Sequence, residues 1–299
     1  MGIDFKALNA PYITGSLPTE AVVTVYDKDK MVIDVKGDLR TAEIDYSFLG
    51  FKKNAGTSGT ISARLDIKNN LIASIPQFSL SKPGFNLNGK VSFDSQGAVK
   101  TVDISKISGP KTSARAVLDF SDTKSDKIKI TVSGESYNLS DLFAKDETKN
   151  LQAKQKRRLR MQNARYVDTS EEDELEKVSN TDINIAVNSL WTNENVAIRN
   201  FAGNAKLRRG IGVEEMHMVG SFASSRRKEA PARLKLDYIP RGNKEYLLNI
   251  ESSDAGSTLK FLRLYDDMRG GTLNINARRT PDKKSGILIY TTRRFWPGC

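Results

Sequence analysis

Apolar and polar residues alternate along several stretches of the chain, with the period of two that half-buried β-strands show. The clearest alternation spans Ile61–Ile67, Phe85–Phe93 and Ile128–Val132. The apolar positions of these strands are Ile61, Ala63, Leu65, Ile67, Phe85, Leu87, Val91, Phe93, Ile128, Ile130 and Val132. Weaker strands fill the gaps at a spacing of roughly ten residues, and turns rather than helices separate them. The pattern predicts a mainly β fold of long, curved antiparallel meander sheets.

The same pattern divides the chain into two β blocks, one at 1–143 and one at 181–299. The segment between them, 144–180, lacks glycine and proline and combines a basic run with an acidic run. Such a composition predicts either a solvated helix or a disordered insertion. Two short helices are predicted beside the strands, one at Ala255–Asp267 and one near Ser140–Phe143.

The stretch Ile250–Ala277 predicts the end of a strand, a helix, a glycine turn and a new strand. Asp254 is a good N-cap, because its carboxylate can accept a hydrogen bond from a free backbone N–H of the first helical turn. Gly270 and Gly271 permit a positive φ and end the helix. The spacing predicts an apolar helix side formed by Leu259, Leu262 and Tyr265, widened by Phe261, Leu264 and Met268.

This stretch carries a family resemblance, which rests on Ser253–Gly256, Leu262–Met268, Arg269–Gly271 and the alternating strand after them. Together they resemble the C-terminal region of AsmA-like proteins, the group of large bacterial envelope proteins that contains AsmA, TamB and YhdP. The residues of this structural motif are Asp254, Gly256, Leu259, Leu262, Tyr265, Gly270 and Gly271. A looser similarity of pattern extends over most of the remaining chain.

The resemblance implies a non-enzymatic envelope protein, anchored in the inner membrane, with a long β-rich body in the periplasm. Its implied role is phospholipid transport between the inner and outer membranes, or assembly of the outer membrane. The implied partners are phospholipid or a membrane surface and other envelope proteins, with no catalytic residue, cofactor or metal. The sequence shows no anchor and its alternation breaks near Arg293, so a fragment of a longer protein is predicted.

The alternating strands fit two arrangements, because both need one apolar face on every strand. The first is an ordinary β-sandwich core, which needs no ligand. The second is an open groove, in which the apolar positions named above hold acyl chains by nondirectional contact. The resemblance favours the groove. The alternative is a basic β-rich scaffold or binding module without lipid cargo, and a glycan-active enzyme would need a carboxylate pair facing one cleft.

Composition changes this picture little. The chain has 299 residues, a net charge of +11 and a pI of about 9.5, which suits nucleic acid, anionic lipid or acidic polysaccharide as well as plain solubility. The basic run Lys154–Arg165 lacks interleaved aromatic residues, so a nucleic-acid partner is not expected. No apolar run reaches the roughly eighteen residues that a transmembrane helix needs.

Candidate chemistry is sparse. His217 is the single histidine, and no nucleophile motif accompanies it, so it is predicted to be structural. Cys299 is the single cysteine, which excludes an intrachain disulfide. The acidic run Glu171–Glu176 lacks the glycine-containing loop that calcium sites use. The sequence therefore predicts neither a catalytic site nor a metal site.

Overall fold

The computed structural model describes residues 13–46, 51–122, 126–140, 180–193, 195–223, 230–242, 245–279 and 287–290. Most of these residues lie in β-strands, and the one helix among them is α1 (Ala255–Phe261). The predicted mainly β meander fold is confirmed. The insertion predicted at 144–180 and the helix predicted near Ser140–Phe143 lie almost entirely outside the described residues.

The chain divides into two compact units. The first comprises residues 1–121 and 137–142, and the second comprises residues 122–136 and 143–299. Each unit has its own run of strands and its own buried residues.

The first unit is built from hairpins that follow one another along the chain. Its strands are β1 (Ile13–Thr14), β2 (Thr19–Asp27), β3 (Lys30–Asp38), β4 (Glu43–Tyr46), β5 (Phe51–Lys53), β6 (Thr60–Lys68), β7 (Leu71–Lys82), β8 (Phe85–Phe93), β9 (Val99–Gly109) and β10 (Thr112–Asp122). The long strands pair antiparallel in the order β2, β3, β6, β7, β8, β9, β10, while β1, β4 and β5 form a small separate sheet. Asn69 and Asn70, between β6 and β7, both take a positive φ, as a tight two-residue hairpin turn requires.

The second unit continues the same plan. Its elements are β11 (Lys127–Asn138), β12 (Asn180–Trp191), β13 (Ala197–Arg208), β14 (Gly212–Phe222), β15 (Ala232–Gly242), β16 (Glu245–Ser252), α1, β17 (Leu273–Arg279) and β18 (Ile287–Tyr290). The strands from β12 to β18 pair antiparallel in chain order, and β11 lies beside β12. Hairpin connections make this order the simplest one available to the chain.

The small sheet of the first unit has a buried core of its own. Leu39, Ala42 and Ile44 are fully buried beside it. Lys53 is only 2% exposed, and its ammonium group donates to the backbone oxygens of Ala42 at 2.7 Å and Asn54 at 3.1 Å. Burial lowers the pKa of Lys53, because the charged form loses hydration. These two hydrogen bonds offset part of the cost of burying the ammonium group.

The start of α1 agrees with the sequence prediction. Asp254 is the N-cap, and its carboxylate accepts hydrogen bonds from the Ser257 N–H at 3.0 Å and the Ser257 hydroxyl at 2.7 Å. Gly256 lies where the chain passes close by, since a Cβ added there would be 2.5 Å from the Met268 oxygen. A larger residue at position 256 would therefore have to displace backbone.

The end of α1 corrects the prediction. The helix ends at Phe261 instead of Asp267, because Arg263 takes a left-handed backbone with φ of 57°. The Leu264 N–H then bonds to the Leu259 oxygen at 2.9 Å, as in the Schellman C-cap. The usual residue at this position is glycine, so an arginine gave no signal for the helix end.

The buried side of α1 agrees with the predicted one at Phe261 and differs elsewhere. Its buried residues are Ala255, Gly256, Thr258 and Phe261. Leu259 and Leu262 are partly exposed, and Tyr265 is 53% exposed. Because α1 ends at Phe261, helical spacing does not predict which side chains face the core after that residue. Leu262 and Tyr265, which that spacing placed on the core side, are therefore not part of the buried side.

Gly270 and Gly271 have the predicted positive φ, at 63° and 80°. Their position is not the predicted one, because they do not end the helix. The Gly271 oxygen accepts from the Ala255 N–H at 2.7 Å, and the Gly270 oxygen accepts from the Gly256 N–H at 3.1 Å. The glycine turn thus supplies acceptors for N–H groups that the first turn of α1 leaves without helical partners.

Candidate functional site

Strand register aligns the apolar residues of the first unit into rows across its sheet. One row holds Gly37, Ile61, Leu80, Leu87, Ile107 and Ala114, each directly opposite the next. Another holds Val23, Ile33 and Leu65. Alternate residues of a strand share a face, so the candidates of β6 and β8 lie on one face, here called the first apolar face. They are Ile61, Ala63, Leu65, Ile67, Phe85, Leu87, Val91 and Phe93.

The first apolar face is only partly covered. Of the candidate residues, the buried ones are Leu65, Ile67, Phe85 and Leu87, and the partly exposed ones are Ile61, Ala63, Val91 and Phe93. Around Leu65, Ile67 and Ile75 lies a cluster of partly buried residues: Met31, Ile33, Val35, Ala63, Ile72, Phe78, Val91 and Phe93. The apolar side chains of this face are more exposed toward β2, where Val23 is 55% exposed and Val25 is 66% exposed.

The second unit has a similar face, here called the second apolar face. One of its rows holds Ile185, Gly203, Met218, Leu236, Ile250 and Ile275. The next row holds Ile183, Ala205, Met216, Tyr238, Leu248 and Ala277. Every member of both rows is apolar, glycine or tyrosine. A surface of this kind offers contact to hydrocarbon and few hydrogen-bonding groups.

Helix α1 closes one end of the second apolar face. The Phe261 ring packs edge-on against Phe222 at a centroid distance of 6.2 Å. The Thr192 hydroxyl donates to the Phe261 oxygen at 2.5 Å. The side chains at this end are almost fully buried: Leu190, Ile198, Phe201, Phe222 and Leu234 are between 0% and 4% exposed. The residues away from the helix are only partly buried, namely Ile183, Met216, Tyr238 and Leu248.

The three remaining candidates lie on β11. Ile128 and Ile130 are partly exposed, and Val132 is 3% exposed. All three belong to the second unit, beside β12. The sequence did not reveal that these three residues and the candidates of β6 and β8 belong to different units, because alternation alone does not report which strands pack together.

Two tyrosines stack at the less covered end of the second apolar face. The rings of Tyr238 and Tyr246 are 5.2 Å apart and 3° from parallel. The Tyr238 hydroxyl oxygen is buried and has no hydrogen-bond partner among the described residues. A buried hydroxyl oxygen without a hydrogen-bond partner normally lowers the stability of the folded protein.

The opposite side of the second unit's sheet carries a polar row that sequence reasoning missed. It holds Asn184, Asn204, His217, Asp237, Asn249 and Asn276, one residue from each of six neighbouring strands. Each residue sits at a polar position of its own strand pattern, so the polar character was visible. Their alignment was not, because register depends on turn lengths and bulges.

His217 is held within this row by two carboxylates. Its Nδ1 lies 2.7 Å from Asp237 Oδ1 and its Nε2 lies 3.0 Å from Glu215 Oε1. Lys206 pairs with Glu215 at 2.5 Å, and Lys235 pairs with Asp237 at 2.9 Å. Hydrogen bonds to Asp237 and then to Glu215 raise the pKa of His217. The arrangement stabilises a protonated imidazole, which suits an ion network rather than a general base.

Two shallow cavities lie in the described part of the second unit. One, of about 350 Å³, is polar and is lined by Asn193, Asn195, Lys260, Arg263 and Asp266. The other, of about 450 Å³, follows β11 to β14, and its lining includes three residues of the polar row, Asn184, Asn204 and His217, beside Val132 and Met218. Among the described residues, no group of three or more histidine, cysteine, aspartate or glutamate side chains could hold a metal ion.

Comparison with known proteins gave no match to a protein-family model, a curated protein or a solved structure. The described residues contain no helix with the length and apolar character needed to cross a membrane. The candidate site therefore rests on the two apolar faces and on their geometry.

Proposed function

We propose that the two apolar faces bind the acyl chains of phospholipids, and that the protein takes part in phospholipid transport between the inner and outer membranes or in outer-membrane assembly. The observation that carries this proposal is the alignment of apolar side chains into rows that run across many strands. These rows are buried at places and partly exposed at others, so hydrocarbon has surface to contact. The resemblance to AsmA-like proteins supplies the envelope setting, and the proposed role is non-enzymatic.

The energetics of such binding need no directional chemistry. Each methylene group that leaves water for an apolar surface contributes about 0.8 kcal/mol. An acyl chain lying along several rows would gain this free energy for each methylene group that contacts them. Partly exposed residues such as Met31, Ile33 and Val91 are the ones that can supply contact without unfolding.

A scaffold without lipid cargo is the second candidate, and one observation favours it. Leu65, Phe85 and Leu87 are between 2% and 8% exposed, which is the burial of an ordinary protein core. On that account the partly exposed residues are only the margin of the core.

Lipid retention separates these two candidates. The purified chain would be mixed with vesicles of phosphatidylglycerol and phosphatidylethanolamine, separated from them, and analysed for bound phospholipid by mass spectrometry. The double variant Val35→Thr/Val91→Thr makes the first apolar face more polar at little change in shape. We expect it to retain several-fold less phospholipid, since apolar contact is worth about 0.8 kcal/mol per methylene.

The matched control is Val117→Thr/Val219→Thr, which makes the same kind of change at two valines that are 38% and 46% exposed. Val117 is opposite Asp103 and Val219 is opposite Lys235, so both lie on polar sides of their sheets. The control should keep the wild-type amount. Absence of phospholipid from the wild-type chain would reject the lipid proposal and leave the scaffold.

A further inference from the structure

The edge strand β2 is the most exposed regular element among the described residues. All nine of its residues, Thr19–Asp27, are exposed. Its large apolar side chains include Val22 at 64%, Val23 at 55%, Val25 at 66% and Tyr26 at 66% exposed. In the described sheet β2 pairs with β3 on one side only. Its other side presents a row of backbone hydrogen-bonding groups.

Proteins usually protect such an edge. Common devices are a proline, a charged side chain such as lysine, a short strand or a bulge that turns the edge away. β2 is nine residues long, contains no proline or lysine, and has its two charged residues, Glu20 and Asp27, near its ends. Its single register shift lies between Val25 and Asp27, at the hairpin end, so the segment before it is regular. The strand is therefore suited to pairing with another strand.

We propose that β2 pairs antiparallel with β2 of a second copy of this chain, about a two-fold axis at Val23. The strand's own length points to this register, because a centre at Val23 pairs all nine residues from Thr19 to Asp27. Any other centre leaves residues at one end of each copy unpaired. Two-fold pairing of identical surfaces is the commonest way in which identical chains associate.

The charges of β2 agree with the antiparallel arrangement. Glu20 of each copy would lie opposite Tyr26 of the other, and Lys30 already lies over the Tyr26 ring at 5.7 Å from its centroid. The acidic group of one copy thus meets an ammonium group of the other. A parallel in-register pairing would instead set Glu20 against Glu20, which is unfavourable.

The apolar residues of β2 agree as well. Val23 and Val25 lie opposite Ile33 and Met31 of β3, so they belong to the first apolar face. Antiparallel pairing about Val23 sets Val25 opposite Ala21, and these residues share a face. The first apolar faces of two copies would therefore join across the new pair, and the side chains that are now most exposed would gain contacts on that side.

The first test is the oligomeric state of the full chain, measured by light scattering and sedimentation over a range of concentrations. The wild-type chain should form a dimer. Val23→Lys sets two ammonium groups opposite each other at the axis, so its dissociation constant should rise at least tenfold. Val219→Lys adds the same charge at a similarly exposed valine on an inner strand, and it should dimerise like the wild type. A monomeric wild-type chain would overturn the proposal.

The second test is the register, measured by disulfide formation in a Cys299→Ser background. Directly opposite residues of an antiparallel pair have Cα atoms about 4.5–5.5 Å apart, within the range that a disulfide spans. Val23→Cys should therefore crosslink to itself. Val22→Cys should crosslink to Thr24→Cys in a mixture and only weakly to itself. A dimer in which Val22→Cys crosslinks to itself as efficiently as Val23→Cys would overturn this pairing.

Discussion

Two regions of this molecule both carry apolar strand residues and differ most in their burial. Apolar residues predominate in β2 from Ala21 to Tyr26, yet β2 is exposed throughout, whereas Ile198, Phe222 and Leu234 near α1 are between 0% and 2% exposed. Both regions belong to antiparallel sheets with one apolar side. What differs is the cover, because α1 packs on one of them and, among the described residues, β2 has a partner strand on one side only. Alternation specifies the apolar side of a strand, and other elements decide whether that side is buried.

The largest difference between the two regions is expected when one aromatic residue in each is truncated. Phe261 is 3% exposed and packs on Phe222, so Phe261→Ala should lower the free energy of unfolding by about 3–5 kcal/mol. Tyr26 is 66% exposed and contacts Lys30, so Tyr26→Ala should cost less than about 1 kcal/mol. Chemical denaturation of both variants measures the difference. Equal losses would mean that α1 does not cover a core.

A smaller effect is expected from the close approach beneath the glycine turn. A Cβ at position 256 would lie 2.5 Å from the Met268 oxygen, so Gly256→Val should cost about 1–3 kcal/mol through overpacking. The control is Lys260→Val, which places the same β-branched side chain at a partly exposed position of α1. The clash at position 256 should make the Gly256→Val protein unfold at the lower temperature. Equal unfolding temperatures of the two variants would contradict this placement of the turn.

The N-cap should give a smaller change again. Asp254→Ala removes the acceptor for the Ser257 N–H and should cost about 1 kcal/mol, while Asp254→Asn should recover most of the loss because its amide oxygen can accept the same bond. Equilibrium unfolding in urea distinguishes the three proteins. Equal stability of the alanine and asparagine variants would show that the side-chain acceptor is unimportant.

The smallest expected effect concerns the polar row. The pKa of His217 is raised by Asp237 and Glu215, so its contribution to stability is complete below its unfolded pKa of 6.5. That contribution is lost as the pH rises through the folded pKa. The stability difference between wild type and His217→Gln should therefore be larger near pH ~6 than above pH ~8. A difference that grows with pH would contradict the protonated state.

The sequence predicted the strands well, because their pattern is local. It predicted poorly where α1 ends and how the strands align with one another. Ile61, Leu87 and Ile128 were assigned to apolar strand sides, because a period of two is a local property of the chain. The end of α1 at Phe261 was missed, since Arg263 adopts a backbone that usually marks glycine. Register was beyond reach too, and it is register that aligns His217 with Asp237.

The candidate site also has a part that the sequence predicted and a part that it did not. Its apolar residues on β6 and β8 were predicted one strand at a time, and the structure aligns them in rows. The rows of the second apolar face were not among the predicted site residues: β12 and β15 alternate clearly, while Gly203 and Met218 do not mark a face by themselves. Cover by α1 depends on contacts such as the one between Thr192 and Phe261, which are far apart in the sequence.

The most direct measurement of the central claim is photocrosslinking from neighbouring residues that point to opposite sides of β8. A benzophenone amino acid would replace Val91, on the first apolar face, or Lys90, which is exposed on the other side. After incubation with phospholipid vesicles and irradiation, mass spectrometry would identify adducts. We expect phospholipid adducts from position 91 and few from position 90. Equal yields at both positions, or none from position 91, would contradict acyl-chain binding on the apolar face.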